Sequence, residues 1–460
     1  MSDKDKGGKR KAGKHSEQKQ AEREEARAME AQKAQERVPQ EKPEEPLDKN
    51  RQEKKGTSGE RHSGTIKEAM ESGQFPVVGI GASAGGLEAL ETFFGEVPKD
   101  SGLAFVVVTH TDPDRASMLP ELIKKKAMIP VRLIEDGLTA EPNMIYVPPS
   151  DRDPFLDDGV FHLKDRPGKP GLHMPVDLFL KHLAEDRGQL SACVILSGTG
   201  TDGTQGLRLV KEKAGFVIAQ SEESARHAGM PKSAKQTGLV DAVLAPDEMP
   251  RRLIEYFKEP AVIGAKPQGG ETAEDEPLSR ILSFLASRTR HDFSLYKENT
   301  LVRRIERRMT ITQSRNASDY VKLLRENTEE VRALFQDLLI GVTSFFRDSE
   351  AFSFLQKEVV PRLISQSEHK ELRVWVPGCA TGEEAYSVAI VVKECLEESE
   401  DFRDFQVFGT DIDPQAIDQA RSGSYVQNIV TDVSSRRLER FFSKQEIGRA
   451  SCRERVCHRV

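Results

Sequence analysis

Between Phe75 and Lys258, short apolar runs (PVVGIGA, LAFVVVTH, MIPVRLI, NMIYVPP, ACVILSG and GFVIAQ) alternate with stretches of helical spacing such as GGLEALETFFGEV and GTQGLRLVKEKA. Runs without polar alternation indicate strands covered on both faces, so residues 74–258 are expected to form a doubly wound α/β domain with a mostly parallel sheet. The stretch AKPQGGETAEDEP marks a linker over 259–277. Helical spacing with a basic face, including LVRRIERRM, predicts a small helical domain over 278–342. A second strand, glycine loop and helix follow in ELRVWVPGCATGEEAYSVAIVVKECLE, and then the strand FQVFGTD. These predict an incomplete Rossmann-like domain over 343–445, since such sheets need about five strands. Residues 1–73 carry few large apolar side chains and are expected to be a disordered charged tail.

Composition narrows the classes. A chain of 460 residues exceeds a single core, and a formal charge of −7 argues against a nucleic-acid partner. No apolar stretch reaches the ~18 residues of a membrane span, and the N-terminal MSDKDKGGKRKAGKHSEQKQ lacks the apolar centre of a secretory signal. The expectation is a cytoplasmic protein without membrane insertion. Cys193, Cys379 and Cys395 stand apart, without disulfide or zinc spacing, and read as buried apolar groups. The final EIGRASCRERVCHRV, residues 446–460, matches a translated sequencing adapter and reads as an artefact, so Cys452, Cys457 and His458 are not taken as a metal site.

The segment GIGASAGG admits two chemistries. Gly79, Gly81 and Ala84 fit a loose dinucleotide fingerprint, whereas Gly81, Ser83 and Gly85 spell a G-x-S-x-G nucleophile turn. A dinucleotide site wants an acid at the end of the next strand, where a carboxylate binds ribose hydroxyls. LAFVVVTH ends instead in His110, which disfavours a nicotinamide-dependent oxidoreductase, while FQVFGTD, the strand after the second glycine loop, ends in Asp411. Ser83, His110 and Asp202 each lie just past a buried run, where loops of a doubly wound sheet gather. A serine needs a base, and the base needs an orienting acid. The structural alternatives are a helix cap for Ser83 or Asp202 and a surface-loop role for His110.

IGASAGG, VVTH, LSGTGTDG and GMPKSA, in that order, resemble the catalytic domain of CheB-type protein-glutamate methylesterases of bacterial chemotaxis. The resemblance implies Ser83 as nucleophile, His110 as general base, Asp202 as its orienter, and backbone N–H groups of Ala84 and Thr199 as oxyanion donors. It implies no cofactor for the esterase, and hydrolysis of glutamate γ-methyl esters, with glutamine deamidation as a further family activity. LVRRIERRM, GVTSFFRD, PGCATGEEAYS and FGTDIDPQAIDQAR resemble CheR-type receptor methyltransferases. That resemblance implies S-adenosyl-L-methionine as donor, held by Thr343, Arg347, Gly378, Gly382, Glu384 and Asp411. Arg304, Arg307 and Arg308 are expected either to meet an acidic receptor region or to form a solvated basic face. The implied partners are the cytoplasmic helices of methyl-accepting chemoreceptors or a related sensory protein. With later strands missing, the methyltransferase part is expected to have little activity. A non-catalytic signalling scaffold is the competing reading.

Overall fold

The computed structural model describes residues 65–111, 117–166, 173–258, 260–261, 263, 277–339, 341, 343–366, 371–445 and 449–452. The disordered-tail expectation for residues 1–64 lies outside them, and its boundary at residue 73 is corrected. Helix α1 (Ile66–Glu71) begins at a capping box between Thr65 and Glu68, and Ile66 is buried in the core of the domain that follows it. Ile66, Ala69 and Met70 stand at helical spacing, but six residues are too short a stretch for that spacing to separate the helix from the charged run before it.

The first large element is a seven-stranded sheet with order β3-β4-β2-β1-β7-β8-β9. Its strands are β1 (Val77–Ala82), β2 (Ala104–Thr109), β3 (Val131–Leu133), β4 (Met144–Val147), β7 (Ser191–Ile195), β8 (Phe216–Gln220) and β9 (Ala242–Leu244). Every pairing in it is parallel, as the unbroken runs predict. β1, β7 and β8 are buried along their whole length. An antiparallel hairpin of β5 (Arg152–Asp157) and β6 (Val160–Asp165), absent from the sequence expectation, stands apart from the sheet.

Helices cover both faces. α2 (Gly86–Gly95) and α3 (Leu119–Lys124) follow β1 and β2; α4 (Pro175–Arg187) precedes β7, α5 (Thr204–Glu212) follows it, and α6 (Gly229–Gln236) and α7 (Met249–Lys258) complete the domain. One core layer holds Phe93, Phe94, Phe105, Phe216 and Tyr256. The other holds Phe161, Phe179, Leu180, Leu183 and Met230. Gly79 and Gly81 lie under α4, where a Cβ would come within 2.7 Å of Leu180 and 2.5 Å of Val176. The two glycines of the apparent dinucleotide fingerprint therefore serve helix–strand packing.

The helical domain comprises α8 (Pro277–Thr289), α9 (Glu298–Ile311), α10 (Ala317–Glu326) and α11 (Thr328–Leu338), packed around Ile305, Met309, Tyr320 and Leu334. α12 (Ser349–Phe354) and α13 (Val360–Gln366) lead into β10 (Glu371–Pro377), α14 (Glu383–Glu398), β11 (Asp404–Thr410) and α15 (Pro414–Ser422). β10 and β11 form a parallel pair. β12 (Ser424–Val426), β13 (Phe442–Gln445) and β14 (Arg449–Cys452) form an antiparallel sheet, and α16 (Ser435–Phe441) precedes β13. β14 comes from the segment read as adapter sequence, so that stretch is paired rather than unrelated to what precedes it. β14 is the central strand of that sheet, paired with β12 on one side and β13 on the other, and these are backbone hydrogen bonds that any non-proline residue can make.

Candidate active site

Register brings the first site together. Ala82 pairs with Thr109 across the parallel β1–β2 ladder, so Ser83 and His110 each follow directly on adjacent strands, whose axes run about 4.8 Å apart. On the other side of β1, the Ser83 N–H donates to the Ser197 carbonyl at 2.9 Å and the Leu196 N–H donates to the Gly81 carbonyl at 2.8 Å. The loop after β7 thus runs beside the serine. A Cβ on Gly198 would stand 2.9 Å from that of Ser83, so only glycine lets the loop approach so closely.

Asp202, buried on this loop, lies 3.2 Å through Oδ2 from His110 Nε2. Its carboxylate also accepts the N–H groups of Val176 at 3.1 Å, Asp177 at 2.9 Å and Gly203 at 2.9 Å. Asp177 returns the arrangement, accepting from Gln205 at 2.8 Å and Gly206 at 2.7 Å at the start of α5. Two carboxylates therefore exchange caps between α4 and α5. Asp202 thus caps α4 and at the same time faces the His110 imidazole, a placement compatible with both readings. His110 keeps about a third of its side-chain surface exposed.

Groups not singled out in the sequence complete the frame. Ser197 Oγ donates to the Ala84 carbonyl at 3.1 Å and accepts from the His227 N–H at 3.0 Å, while its own N–H donates to Gln220 at 2.7 Å. The Ala84 carbonyl is thereby turned into the protein. Thr199, exposed, follows Gly198 on the same loop. Beside His110, Arg166 donates to the Thr111 carbonyl and hydroxyl at 3.1 Å each, and Asp153 holds Arg166 at 3.2 Å and His173 at 2.9 Å. Only contact geometry identifies these residues, because they come from segments far apart in sequence.

The second glycine loop joins β10 to α14. Asp411, one residue past β11, accepts from the Ala380 N–H at 2.9 Å and from the Asp413 N–H at 2.9 Å. It lines a cavity of about 610 Å³ with Gly378, Pro377, Thr410, Ile412 and Tyr296. Gly378 has φ +67° with nothing within 4 Å of a Cβ position, so its backbone faces open space. A carboxylate, a hydroxyl, an open glycine and apolar walls fit the ribose and base of an adenosyl ligand. Gly382 serves packing, since a Cβ there would meet Ala420 and the Tyr425 hydroxyl at 2.9 Å.

Three other residues expected at this site lie as follows. Glu384 is exposed on α14, whereas the neighbouring Glu383 is buried and accepts from Thr381 at 2.6 Å. Burial pushes the Glu383 carboxyl above its usual range, against the Thr381 hydrogen bond and Arg208. Arg347 lies 3.5 Å from Glu212 of α5, and Thr343 is half-buried four residues before it.

Arg304, Arg307 and Arg308 face inward, which corrects both the receptor-facing and the solvated-face readings. Arg304 donates to the carbonyls of Asp337 and of Leu338, the latter at 3.1 Å. Arg308 pairs with Glu330 through Nε at 3.0 Å. Arg307, 2 % exposed, pairs with Asp241, with Asp337 at 2.5 Å and with the Gly215 carbonyl at 2.9 Å. Helical spacing located the face but not the acids opposite it, which lie 22 to 66 residues away in sequence.

Residues 78–253 match the family described as CheB methylesterase, 276–339 that of the CheR methyltransferase all-alpha domain, and 341–460 that of the CheR SAM-binding domain. The chain joins a CheB methylesterase domain to CheR methyltransferase domains. A Rhodobacter capsulatus protein described as an uncharacterized 104.1 kDa protein is 32 % identical over 348 residues, covering 71 % of this chain and 36 % of that protein. A Thermotoga maritima protein named protein-glutamate methylesterase/protein-glutamine glutaminase is 34 % identical over 195 residues, 42 % of this chain and 56 % of that one. A crystal structure of the Thermotoga maritima CheB methylesterase catalytic domain is 33 % identical with a TM-score of 0.38, covering 40 % of this chain and 98 % of that chain. The chain thus spans about a third to just over half of these two curated relatives. The CheR SAM-binding match agrees with S-adenosyl-L-methionine as ligand of the second glycine-loop domain. Among the described residues no helix is long and apolar enough to cross a membrane.

Proposed function

We propose that the CheB domain hydrolyses γ-methyl esters of glutamate on chemoreceptor helices, with Ser83, His110 and Asp202 as its triad. The observation that carries this reading is the adjacency of Ser83 and His110 at the ends of paired strands, with Asp202 3.2 Å from the imidazole. Asp202 engages Nε2, which leaves Nδ1 to serve the serine. In the acylation step Ser83 Oγ bonds to the ester carbon as Nδ1 takes its proton. The N–H groups of Ala84 and Thr199 stabilise the resulting oxyanion. Collapse breaks the bond to methoxide, which leaves as methanol with the proton from His110. Water then attacks the acyl-enzyme, giving its proton to His110, and the glutamate carboxylate and free serine are restored.

The same nucleophile attacks a glutamine amide with ammonia as leaving group, so deamidation belongs to the proposal. For the CheR domains, the proposed donor is S-adenosyl-L-methionine, which supplies an electrophilic methyl group. Asp411 would hold its ribose beside the open backbone at Gly378. Methyl transfer in this chain is proposed to be weak, because the described parallel sheet there has two strands.

The test is methanol release from methylated receptor membranes by the full chain and by its Ser83→Ala variant. Release that depends on Ser83 supports the esterase; equal release by both proteins refutes it and favours a binding role. Ammonia release from receptors carrying glutamine at the same positions tests deamidation.

A further inference from the structure

A cavity of about 450 Å³ lies between the two halves of the protein. One wall is CheR: Ala380, Glu383 and Asp411. The other is CheB: Gln205 and Arg208 of α5, with Ser233 of α6. Asp411 thus borders this cavity as well as the larger one beside Gly378. The CheB wall presents the Arg208 guanidinium and the Gln205 amide and the CheR wall the Glu383 and Asp411 carboxylates, while Asp241 and Arg308, also on the lining, are paired with Arg307 and Glu330.

Contacts along α5 make the wall a docked face rather than a chance approach. Lys211 lies 3.1 Å from Asp337 of the helical domain, and Glu212 lies 3.5 Å from Arg347. Arg208, Lys211 and Glu212 are related by three and four residues and so share one side of the helix. The positive charge of Arg208 also acts on Glu383. At its N-terminus the same helix is held by Asp177, whose own backbone N–H binds Asp202.

We propose that α5 of the CheB domain forms a wall of the methyl-donor site, with Arg208 receiving the anionic end of an S-adenosyl ligand. This rests on assigning Asp411 to that ligand. The amino-acid end of such a ligand is zwitterionic, so a cationic wall opposite carboxylates complements both of its charges. The ligand would bridge the domains, and its occupancy would rigidify the helix that begins beside the esterase acid. By linkage, a ligand that tightens α5 also favours the conformation of the esterase site that α5 supports.

The probe is S-adenosylhomocysteine, titrated by calorimetry into the full chain and into the Arg208→Ala, Arg208→Lys and Asp411→Ala variants. The inference expects about tenfold weaker binding for Arg208→Ala, partial recovery for Arg208→Lys, and loss of at least about a hundredfold for Asp411→Ala. Amide exchange in residues 204–212 is expected to slow when the probe is bound. Binding unchanged in Asp411→Ala overturns the ligand assignment itself, and no binding by the unaltered chain overturns both. Loss in Asp411→Ala with Arg208→Ala within twofold of the unaltered chain, or exchange in α5 indifferent to the probe, overturns the shared wall alone.

Discussion

Replacing Arg307 by alanine removes a buried guanidinium that ties α9 to the CheB domain, and its cost follows from what remains. Asp241 and Asp337 are left with Lys211, at 2.6 and 3.1 Å, as their nearest cation. Two buried carboxylates then share one ammonium. At about 3 Å and an effective dielectric of about 20, each lost pairing amounts to roughly 5 kcal/mol before the desolvation of Arg307 is credited back. Breaking a buried pair from one side typically costs about 3–5 kcal/mol net, and we expect that range here. This is a large share of the ~5–15 kcal/mol that stabilises a domain. Urea unfolding of the full chain, followed separately by far-ultraviolet dichroism and by fluorescence of Trp375 in the CheR domain, provides the assay. Arg307→Ala is expected to lower the CheB–helical-domain transition and to separate the two signals. A loss below about 1 kcal/mol with coincident transitions would refute the reasoning, showing that the cluster's desolvation cancels its attraction.

The remaining expectations concern pH, backbone space and the triad. Burial alone would raise the Asp337 carboxyl, but Lys211, Arg307 and Arg308 outweigh it and hold it at about 2. Because this folded-state value is depressed, its stabilisation is present above the ordinary value of about 4 and disappears as pH falls toward 2, which acid unfolding of Asp337→Asn against the unaltered chain will reveal as a lost dependence. Glu306 has the opposite sign: burial pushes it up to about 7, against the Ile263 amide, so the folded form binds the extra proton and stability falls as pH rises from about 4.5 to 7. Glu306→Gln should flatten that slope in urea titrations at several pH values; an unchanged slope assigns it to another group. Gly198→Ala should lower kcat by at least about tenfold, since the added methyl meets Met230 Sδ at 2.2 Å and Ser83 Cβ at 2.9 Å; the thioether can move but the nucleophile's own carbon cannot without misplacing Oγ. Asp202→Asn keeps a carbonyl acceptor for the Asp177 and Gly203 N–H groups but turns an amide NH2 toward the Val176 N–H and removes the charge facing His110, so methanol release should fall by on the order of 10⁴ and stability by about 1–3 kcal/mol in urea unfolding.

The sequence by itself determined the local elements and their chemistry. Unbroken Val and Ile runs dictated strands buried on both faces, and a serine, an imidazole and a carboxylate placed just beyond such runs had to emerge at the same sheet edge, because parallel strands all end there. Strand order, the Ala82–Thr109 register, the crossed caps of Asp177 and Asp202, and the burial of Arg307 against Asp241 were decided only by the tertiary structure. Periodicity reports which face of an element is apolar, but a charge in an apolar-poor segment looks the same whether water or a distant carboxylate will surround it. Arg307 therefore looks surface-facing in the sequence and is internal in the structure, since its partners come from a neighbouring helix and from another domain and leave no trace in local spacing.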